Sequence, residues 1–169
     1  CDWSSDVCSS DLDVAVGAPG ADGDGTDRGA VFVLRLTGAG AVAGEQKIAA
    51  SVGGLGAVLA DDDRFGTAVT GLGDLDGDGF ADLAVGVPGS DEGGADRGSL
   101  WVLHLGKTGA ALAAQQLSDS TGGLAATLVD GDGFGSALAG VGDIDDDGVV
   151  DLVVGAPGDD DGGTDRGAL

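Results

Sequence analysis

The stretch FGTAVTGLGDLDGDGFADLAVGVPG at residues 65–89 recurs as FGSALAGVGDIDDDGVVDLVVGAPG at residues 134–158. The second half of the stretch occurs a third time, as DVAVGAPG at residues 13–20. The register holds without a gap to the last residue, and corresponding positions lie 69 residues apart, as in Asp13, Asp82 and Asp151. A fixed period of this length indicates a repeat architecture in which each unit packs on its neighbours.

Each repeat alternates short apolar runs with clusters of turn residues, which is typical of β-strands. The strands predicted in the complete middle copy are 65–72, 83–87, 99–105 and 114–118. Both faces of these runs carry apolar residues, so a sheet built from them needs neighbours on both sides, and radial stacking supplies them. The predicted fold class is therefore all-β, a β-propeller fragment of four-stranded antiparallel blades, with about 2.3 repeats and no closed ring.

The repeat register also predicts the organisation of the chain. We expect a partial first blade at 13–64, a complete second blade at 65–133 and a partial third blade at 134–169. Residues 1–12 do not fit the repeat, and we interpret them as a translated sequencing adapter, the alternative being a disulfide between the two cysteines they contain. Because closed propellers need about four to eight blades, we expect the sequence to be a piece of a longer chain.

Composition argues against several classes of partner. The chain has 30 acidic and 7 basic residues and a net charge of −23, which disfavours binding to nucleic acid or to an anionic membrane. No apolar run approaches the length that spans a bilayer. All of the acidic residues except Glu45 and Glu92 are aspartates. Short Asp side chains in Gly-rich turns favour ligand cages, although a compositional bias of the genome is an alternative contribution.

The loop between the first two strands of a repeat places carboxylates at positions 1, 3, 5 and 9. Ca²⁺ takes six to eight oxygen ligands, and alternate residues of a tight loop can converge on one such ion. Position 12, a bidentate Glu in an EF-hand, is Val85 or Val154 here, so an EF-hand is not predicted. A solvated Asp-Gly turn is the alternative to two Ca²⁺ sites. The predicted ligands, with a backbone carbonyl at position 7, are Asp74, Asp76, Asp78, Phe80 and Asp82, and then Asp143, Asp145, Asp147, Val149 and Asp151.

Two short motifs flank each aspartate loop. Phe65-Gly66 precedes Gly86-Val87-Pro88, and the next repeat has Phe134-Gly135 and Gly155-Ala156-Pro157. This pairing resembles the FG-GAP repeat, which builds the seven-bladed propeller of integrin α subunits and of many secreted bacterial proteins. The resemblance covers residues 13–169 and implies Ca²⁺ at the eight cage aspartates.

The sequence departs from the family pattern at a few positions. Val87 replaces an alanine, and Asp146 replaces a glycine at cage position 4, with an effect on the site that the sequence leaves open. In the first blade Asp13 matches position 9, but the ligand positions before it hold Ser5, Val7 and Ser9. We therefore predict that the first blade has no occupied Ca²⁺ site.

Other conspicuous residues receive structural interpretations. His104 is the only histidine and Arg35 holds its place one repeat earlier, so a catalytic role is not expected. No nucleophile–histidine constellation is seen, and the chain is predicted not to be an enzyme. The recurring pairs Asp27-Arg28, Asp96-Arg97 and Asp165-Arg166 are predicted to stabilise a turn. The segment 130–133 is predicted to be a turn, and the acidic turns at 22–24 and 159–161 to be solvated.

These features together predict a calcium-binding propeller module of a secreted or cell-surface protein. Its expected role is adhesion, or binding of a protein or glycan ligand at the propeller rim, with the neighbouring blades of the full-length chain as further partners. The alternative is a non-catalytic scaffold in a larger secreted enzyme whose active site lies outside this sequence. A calcium-binding β-roll is excluded because it requires a nine-residue period, whereas the observed period is 69.

Overall fold

A computed structural model describes residues 13–23, 25–56, 58–160 and 166–169. All regular secondary structure in these residues is β, which confirms the predicted all-β class. The segment 1–12, predicted to be non-native, lies outside the described residues. The strands are β1 (Val14–Ala18), β2 (Ala30–Leu36), β3 (Val42–Ile48), β4 (Ala68–Gly73), β5 (Asp82–Val87), β6 (Ser99–Leu105), β7 (Ala111–Leu117), β8 (Ala137–Gly142) and β9 (Asp151–Gly155).

The strands form three antiparallel sheets in chain order, β1-β2-β3, β4-β5-β6-β7 and β8-β9. The middle sheet is the four-stranded blade that the repeat predicts. A single bridge between Ala156 and Ala168 extends the third sheet at the position where Val87 pairs with Ser99 one repeat earlier. The sheets form no closed ring within the described residues. The architecture is that of a β-propeller fragment, as predicted.

Two of the predicted strand boundaries are wrong by three residues. The first strand of the middle blade begins at Ala68, because Phe65 and Gly66 lie in the connection between blades, where the Phe65 N–H donates to the carbonyl of Arg28 (3.0 Å). The fourth strand begins at Ala111 rather than at residue 114. A register shift between His104 and Leu105 brings Ala111 opposite Leu105, and the sequence pattern does not reveal this pairing.

The flanking motifs meet where one blade packs on the next. The N–H of Gly66 donates to the carbonyl of Gly86 within its own blade (3.1 Å). A Cβ atom on Gly17 would overlap the carbonyl oxygen of Gly66, and a Cβ atom on Gly86 would overlap that of Gly135. Phe65, beside this contact, is completely buried. Glycine is therefore required at these positions because the backbones of successive blades touch there.

The core lies on both faces of the middle sheet, and every residue of β5 is buried. One apolar cluster joins Val31 and Ile48 of the first sheet to Val85 of β5 through Phe65. A second cluster joins Ala84 on the opposite face of β5 to partly buried residues around Leu152 of the third sheet. This two-sided burial is what radial stacking of blades requires. Among the described residues there is no helix of a length and apolarity that would cross a membrane.

Candidate metal centre

Both aspartate loops connect the first two strands of a blade, from β4 to β5 and from β8 to β9. In each hairpin the register shifts by one residue just before the loop, so that Gly73 pairs with Asp82 and Gly142 pairs with Asp151. The extra residue tightens the hairpin and places the ninth loop position opposite the residue that precedes the first. Positions 1 and 9 are thereby held at the same end of the sheet.

The first aspartate of the middle loop organises the backbone around itself. The carboxylate of Asp74 accepts the N–H groups of Gly77 (2.8 Å), Asp78 (3.0 Å) and Gly79 (2.9 Å). Gly77 and Gly79 have φ values of 78° and 91°, which favour glycine. The carboxylate of Asp78 in turn accepts the N–H of Phe80 (2.8 Å). Turns of this kind are the usual chemistry of Asp beside Gly, and here they bring alternate carboxylates to one side of the loop.

The loop of the next repeat shares several of these hydrogen bonds. The carboxylate of Asp143 accepts the N–H groups of Asp147 (3.0 Å) and Gly148 (2.7 Å), and that of Asp147 accepts the N–H of Val149 (2.8 Å). Asp146 adopts a φ of 59°, where Gly77 stands in the middle loop. Aspartate tolerates this left-handed conformation better than most residues, so the substitution keeps the loop geometry at a modest cost in backbone strain.

The ninth-position aspartate also joins strands. Asp82 is fully buried, and its carboxylate accepts the N–H groups of Leu75 at the start of the loop and Leu105 at the end of β6, each at 2.9 Å. In the first blade the carboxylate of Asp13 accepts the N–H of Leu36 (3.3 Å) in the equivalent place. Sequence analysis missed this role. The signal that could have revealed it is Asp13, which stands at position 9 of a repeat that lacks the other cage aspartates. The first-blade positions predicted to be empty, Ser5, Val7 and Ser9, lie outside the described residues.

The structure brings together three of the four predicted carboxylates in each loop. Each member of a group offers one atom, and the atoms lie within 4.8 Å of one another. Asp82 instead groups with Asp76 and His104, and Asp147 belongs to none of the groups found among the described residues. Phe80 and Val149 stand at position 7 of their loops, and the N–H of each donates to the carboxylate at position 5. The two carboxylate groups are Asp74, Asp76 and Asp78, and Asp143, Asp145 and Asp151.

The cages carry uncompensated negative charge. No lysine or arginine within the described residues forms an ion pair with a cage aspartate. Every cage aspartate except Asp82 and Asp151 is exposed to solvent. An oxygen-only donor set of this kind suits a hard divalent cation, and each carboxylate has about four lone-pair sites, so a bond from the backbone does not exhaust it. The residues present therefore fit a metal ion.

His104 lies beside the middle cage. Its Nδ1 is 3.2 Å from Oδ2 of the buried Asp82 and 3.7 Å from Oδ2 of Asp76. The contact arises because β5 pairs with β6 and the residue after Leu103 projects toward the start of β5. Sequence analysis missed this contact, since His104 is 22 positions from Asp82. The repeat-equivalent Arg35 instead donates to the carbonyl of Thr108 (2.8 Å).

Two of the recurring Asp-Arg pairs stabilise turns, but not through contact with each other, and Asp165 of the third pair lies outside the described residues. Arg28 pairs with Asp61 (2.7 Å), which holds the pKa of that carboxyl below its usual value. Arg97 pairs with Asp130 (2.9 Å) and Asp119 (2.8 Å), which raise the pKa of the guanidinium. The ion pairs therefore tie the turn before the third strand to the connection between blades.

The side chains of two acidic turns cap those turns. The carboxylate of Asp22 accepts the N–H of Asp27, and that of Asp91 accepts the N–H of Asp96, both at 2.9 Å. Asp22 and Gly23 are exposed to solvent, as predicted, and the capping hydrogen bond is an additional role that sequence analysis missed. The turn predicted at 130–133 is present, with the Asp132 N–H donating to the carbonyl of Val129 (3.2 Å).

Comparison with known proteins identifies the repeat. The model of the FG-GAP repeat matches residues 65–103. Integrin alpha-X of Homo sapiens is 40% identical over 97 residues, which is 56% of this chain and 8% of the relative. Integrin alpha-IIb of Homo sapiens is 41% identical over 95 residues, again 56% of this chain and 8% of the relative. Integrin alpha-4 of Xenopus laevis is 34% identical over 157 residues, which is 89% of this chain and 14% of the relative.

The chain thus spans a small part of the length of these relatives, between 8% and 14%. The model match runs from Phe65 through the middle aspartate loop to Leu103 on β6. Family model, relatives and architecture agree with one another. The chain is an FG-GAP repeat protein that is similar to integrin alpha chains.

Proposed function

We propose that the chain is a calcium-binding propeller module of a secreted or cell-surface protein, with a role in adhesion or in binding a protein or glycan ligand. The observation that carries the proposal is the clustering of three loop carboxylates in each of two successive repeats. The similarity to integrin alpha chains supports the adhesive role and the location. Extracellular calcium is abundant enough to fill sites of modest affinity.

Electrostatics supports a bound cation at each loop. Two unit charges about 4 Å apart repel by roughly 1 kcal/mol in water and by roughly 4 kcal/mol near a protein surface. Asp74, Asp76 and Asp78 place carboxylate oxygens within 4.8 Å of one another, and no lysine or arginine among the described residues forms an ion pair with them. A divalent cation converts this repulsion into attraction. Ca²⁺ suits the loop better than Mg²⁺, which demands a stricter octahedral geometry and keeps more of its water.

The proposed ligands remain those of the sequence analysis. They are the carboxylates at loop positions 1, 3, 5 and 9, with the carbonyl oxygens of Phe80 and Val149 completing each cage. Asp82 and Asp147 stand outside the three-carboxylate groups, so metal binding would require these side chains to turn toward the ion. We propose two Ca²⁺ sites in this chain, and we propose that the module is non-catalytic.

The blade boundaries are part of the same proposal. The first sheet falls within residues 13–64, the second within 65–133 and the third within 134–169. The second and third proposed blades each begin with a Phe-Gly pair, which contacts the preceding blade through its backbone. Neighbouring blades of the full-length protein would then be the first partners of this module.

Calcium titration of the whole chain tests the proposal. We expect isothermal titration calorimetry to give two sites for the wild type, one each for Asp76→Asn and Asp145→Asn, and none for the double variant. Asparagine keeps the side-chain shape but removes the charge, so each variant should bind at least tenfold more weakly at its own loop. Saturation at about 100 times Kd should add roughly 2.7 kcal/mol of stability per site, seen as a higher unfolding temperature.

The matched control is Glu45→Gln, which removes one negative charge at an exposed position of β3, outside both loops. It should bind two Ca²⁺ ions as the wild type does. Beads coated with the chain should adhere to an extracellular-matrix preparation in Ca²⁺ and release it in EGTA. A wild-type chain that takes up no Ca²⁺, or an Asp76→Asn, Asp145→Asn double variant that still binds two ions, would overturn the proposal.

A further inference from the structure

A histidine lies beside the middle cage. His104 Nδ1 lies 3.2 Å from Oδ2 of Asp82 and 3.7 Å from Oδ2 of Asp76, and the three residues form one group of candidate metal ligands. In the next repeat, the group found among the described residues consists of the carboxylates of Asp143, Asp145 and Asp151. The middle loop thus offers a nitrogen donor beside its carboxylates.

The spacing of these atoms suits a single ion. Zn²⁺ binds histidine nitrogen and carboxylate oxygen at about 2.0–2.2 Å, so two ligand atoms on one ion lie about 3.0–3.6 Å apart. The distances from Nδ1 to the two carboxylate oxygens, 3.2 and 3.7 Å, fall at or next to that range. The side chains of His104, Asp76 and Asp82 would therefore need only small movements to coordinate one shared ion.

Burial and support of the ligands add to this picture. Asp82 is fully buried and is held by backbone N–H groups of Leu75 and Leu105, so its free lone pairs face a fixed direction. The side chain of His104 is 25% exposed, which leaves a path for an ion to enter. Ligands that are held by further hydrogen bonds bind metals more tightly than mobile ones.

We propose that the middle cage is a mixed nitrogen–oxygen site in which His104 Nδ1, Asp76 and Asp82 bind Zn²⁺ or a similar borderline divalent ion. Imidazole nitrogen favours such ions over Ca²⁺, which prefers oxygen. The inference rests on the proposed function, because it assigns a further ion to a loop proposed to hold Ca²⁺. Since Asp76 belongs to both ligand groups of the middle loop, Zn²⁺ and Ca²⁺ should compete there and not at the next loop.

The single histidine makes a direct test possible. Because His104 is the only histidine in the chain, its ring signals in ¹H–¹⁵N NMR spectra need no assignment. We expect Zn²⁺, added to the calcium-loaded whole chain, to shift the Nδ1 signal into the metal-bound range. Calorimetry should show that His104→Asn lowers the ratio of Zn²⁺ affinity to Ca²⁺ affinity about tenfold or more at the middle loop. Glu45→Gln should keep the wild-type ratio.

The possible outcomes separate the two proposals. If Ca²⁺ titrates both loops and Zn²⁺ leaves the His104 ring signals unchanged, the mixed site is wrong and the calcium sites stand. If neither ion binds either loop, both proposals are overturned. The NMR test is made on the wild type, so it remains decisive even if His104→Asn fails to fold. The inference is supported if Zn²⁺ shifts the Nδ1 signal and displaces one Ca²⁺ ion.

Discussion

At the residue scale, Asp63 shows what burial does to a carboxylate at the junction of two blades. It is 6% exposed, and its carboxylate accepts a hydrogen bond from the Ala60 N–H (2.6 Å). Burial raises the pKa of Asp63 to about 6, and the nearby charges of Asp91 and Glu92 act in the same direction, against the opposing effects of the Ala60 hydrogen bond and Arg28. The repeat-equivalent Asp132 is buried in the same way and accepts the N–H of Val129 (2.8 Å).

Replacing Asp63 with asparagine should stabilise the protein in a pH-dependent manner. The pKa of Asp63 is higher in the folded chain than its ordinary value of 3.8, so the folded state holds the proton more tightly. Ionised Asp63 therefore lowers stability progressively as pH rises from about 4 to 6, by up to about 3 kcal/mol above that window. Asparagine avoids this loss while its side-chain oxygen still accepts the Ala60 N–H.

Urea unfolding between pH 4 and pH 8 measures the effect. The difference in free energy of unfolding between Asp63→Asn and the wild type should be near zero at pH 4 and should grow until about pH 7. Asp62→Asn, at the exposed neighbouring position, removes the same formal charge and controls for general repulsion in this acidic chain. A difference that stays constant across the pH range would contradict the assignment.

Ser99 is a second buried polar residue with an energetic cost. It is fully buried on β6, and its hydroxyl has no hydrogen-bond partner among the described residues. The equivalent residues in the other repeats are Ala30 and Ala168. A buried hydroxyl without a partner costs stability, so the alanine of the other repeats is the better fit to this position.

At the element scale, the connections between sheets are held by arginines that reach across them. Arg28 and Arg97 stand before the third strand of their blades, and each pairs with an aspartate in the connection that leads to the next blade, Asp61 or Asp130. Within the described residues, Arg97 but not Arg28 has a second ion-pair partner, Asp119, whose repeat-equivalent is Ala50. The two connections therefore share one equivalent ion pair, and Arg97 adds a second pair to its own connection.

Arg97→Gln should destabilise the chain more than Arg28→Gln does. Loss of Arg97 leaves the carboxylate of Asp119, whose side chain is only 12% exposed, without its cationic partner, whereas Asp61 remains 55% exposed and well hydrated. Leaving a shielded carboxylate unpaired costs more than breaking an exposed pair. The midpoints of urea unfolding compare the stabilities of the two variants. Equal midpoints would show that the second ion pair does not contribute to stability.

Local patterns predicted the strands, the blade and the cage aspartates, because alternation, turn residues and ligand spacing lie within a few positions of one another. The contacts that were missed span longer separations. Arg28 finds Asp61 33 positions away, and His104 reaches Asp82 only because β6 pairs with β5 in a particular register. Phe65 and Gly66 were wrongly assigned to a strand. Their role in blade packing depends on contacts with the preceding blade, which the local pattern does not reveal. Tertiary neighbours of this kind leave no local trace in a sequence.

At the scale of the whole molecule, stability depends on how closely consecutive blades approach. The carbonyl of Gly135 in the third blade lies against the Cα of Gly86 in the middle blade, and Gly66 lies against Gly17 in the same way one repeat earlier. The aspartate loops are carried on the first two strands of these blades, so the blade contact also fixes the base of each cage. Blade packing and metal binding should therefore be linked.

Gly86→Ala should separate the middle blade from the third. A Cβ atom there would overlap the carbonyl oxygen of Gly135, a backbone atom that can move only if the blade moves, and overpacking of this kind costs about 1–3 kcal/mol or more. Gly71→Ala is the matched control, because it lies in β4 of the same blade and a Cβ atom there meets nothing within 4 Å. We expect Gly86→Ala to lower the free energy of unfolding and the Ca²⁺ affinity together, while Gly71→Ala changes the unfolding energy by less than about 1 kcal/mol. Equal unfolding energies for the two variants, measured in urea, would show that contact between consecutive blades does not hold this chain together.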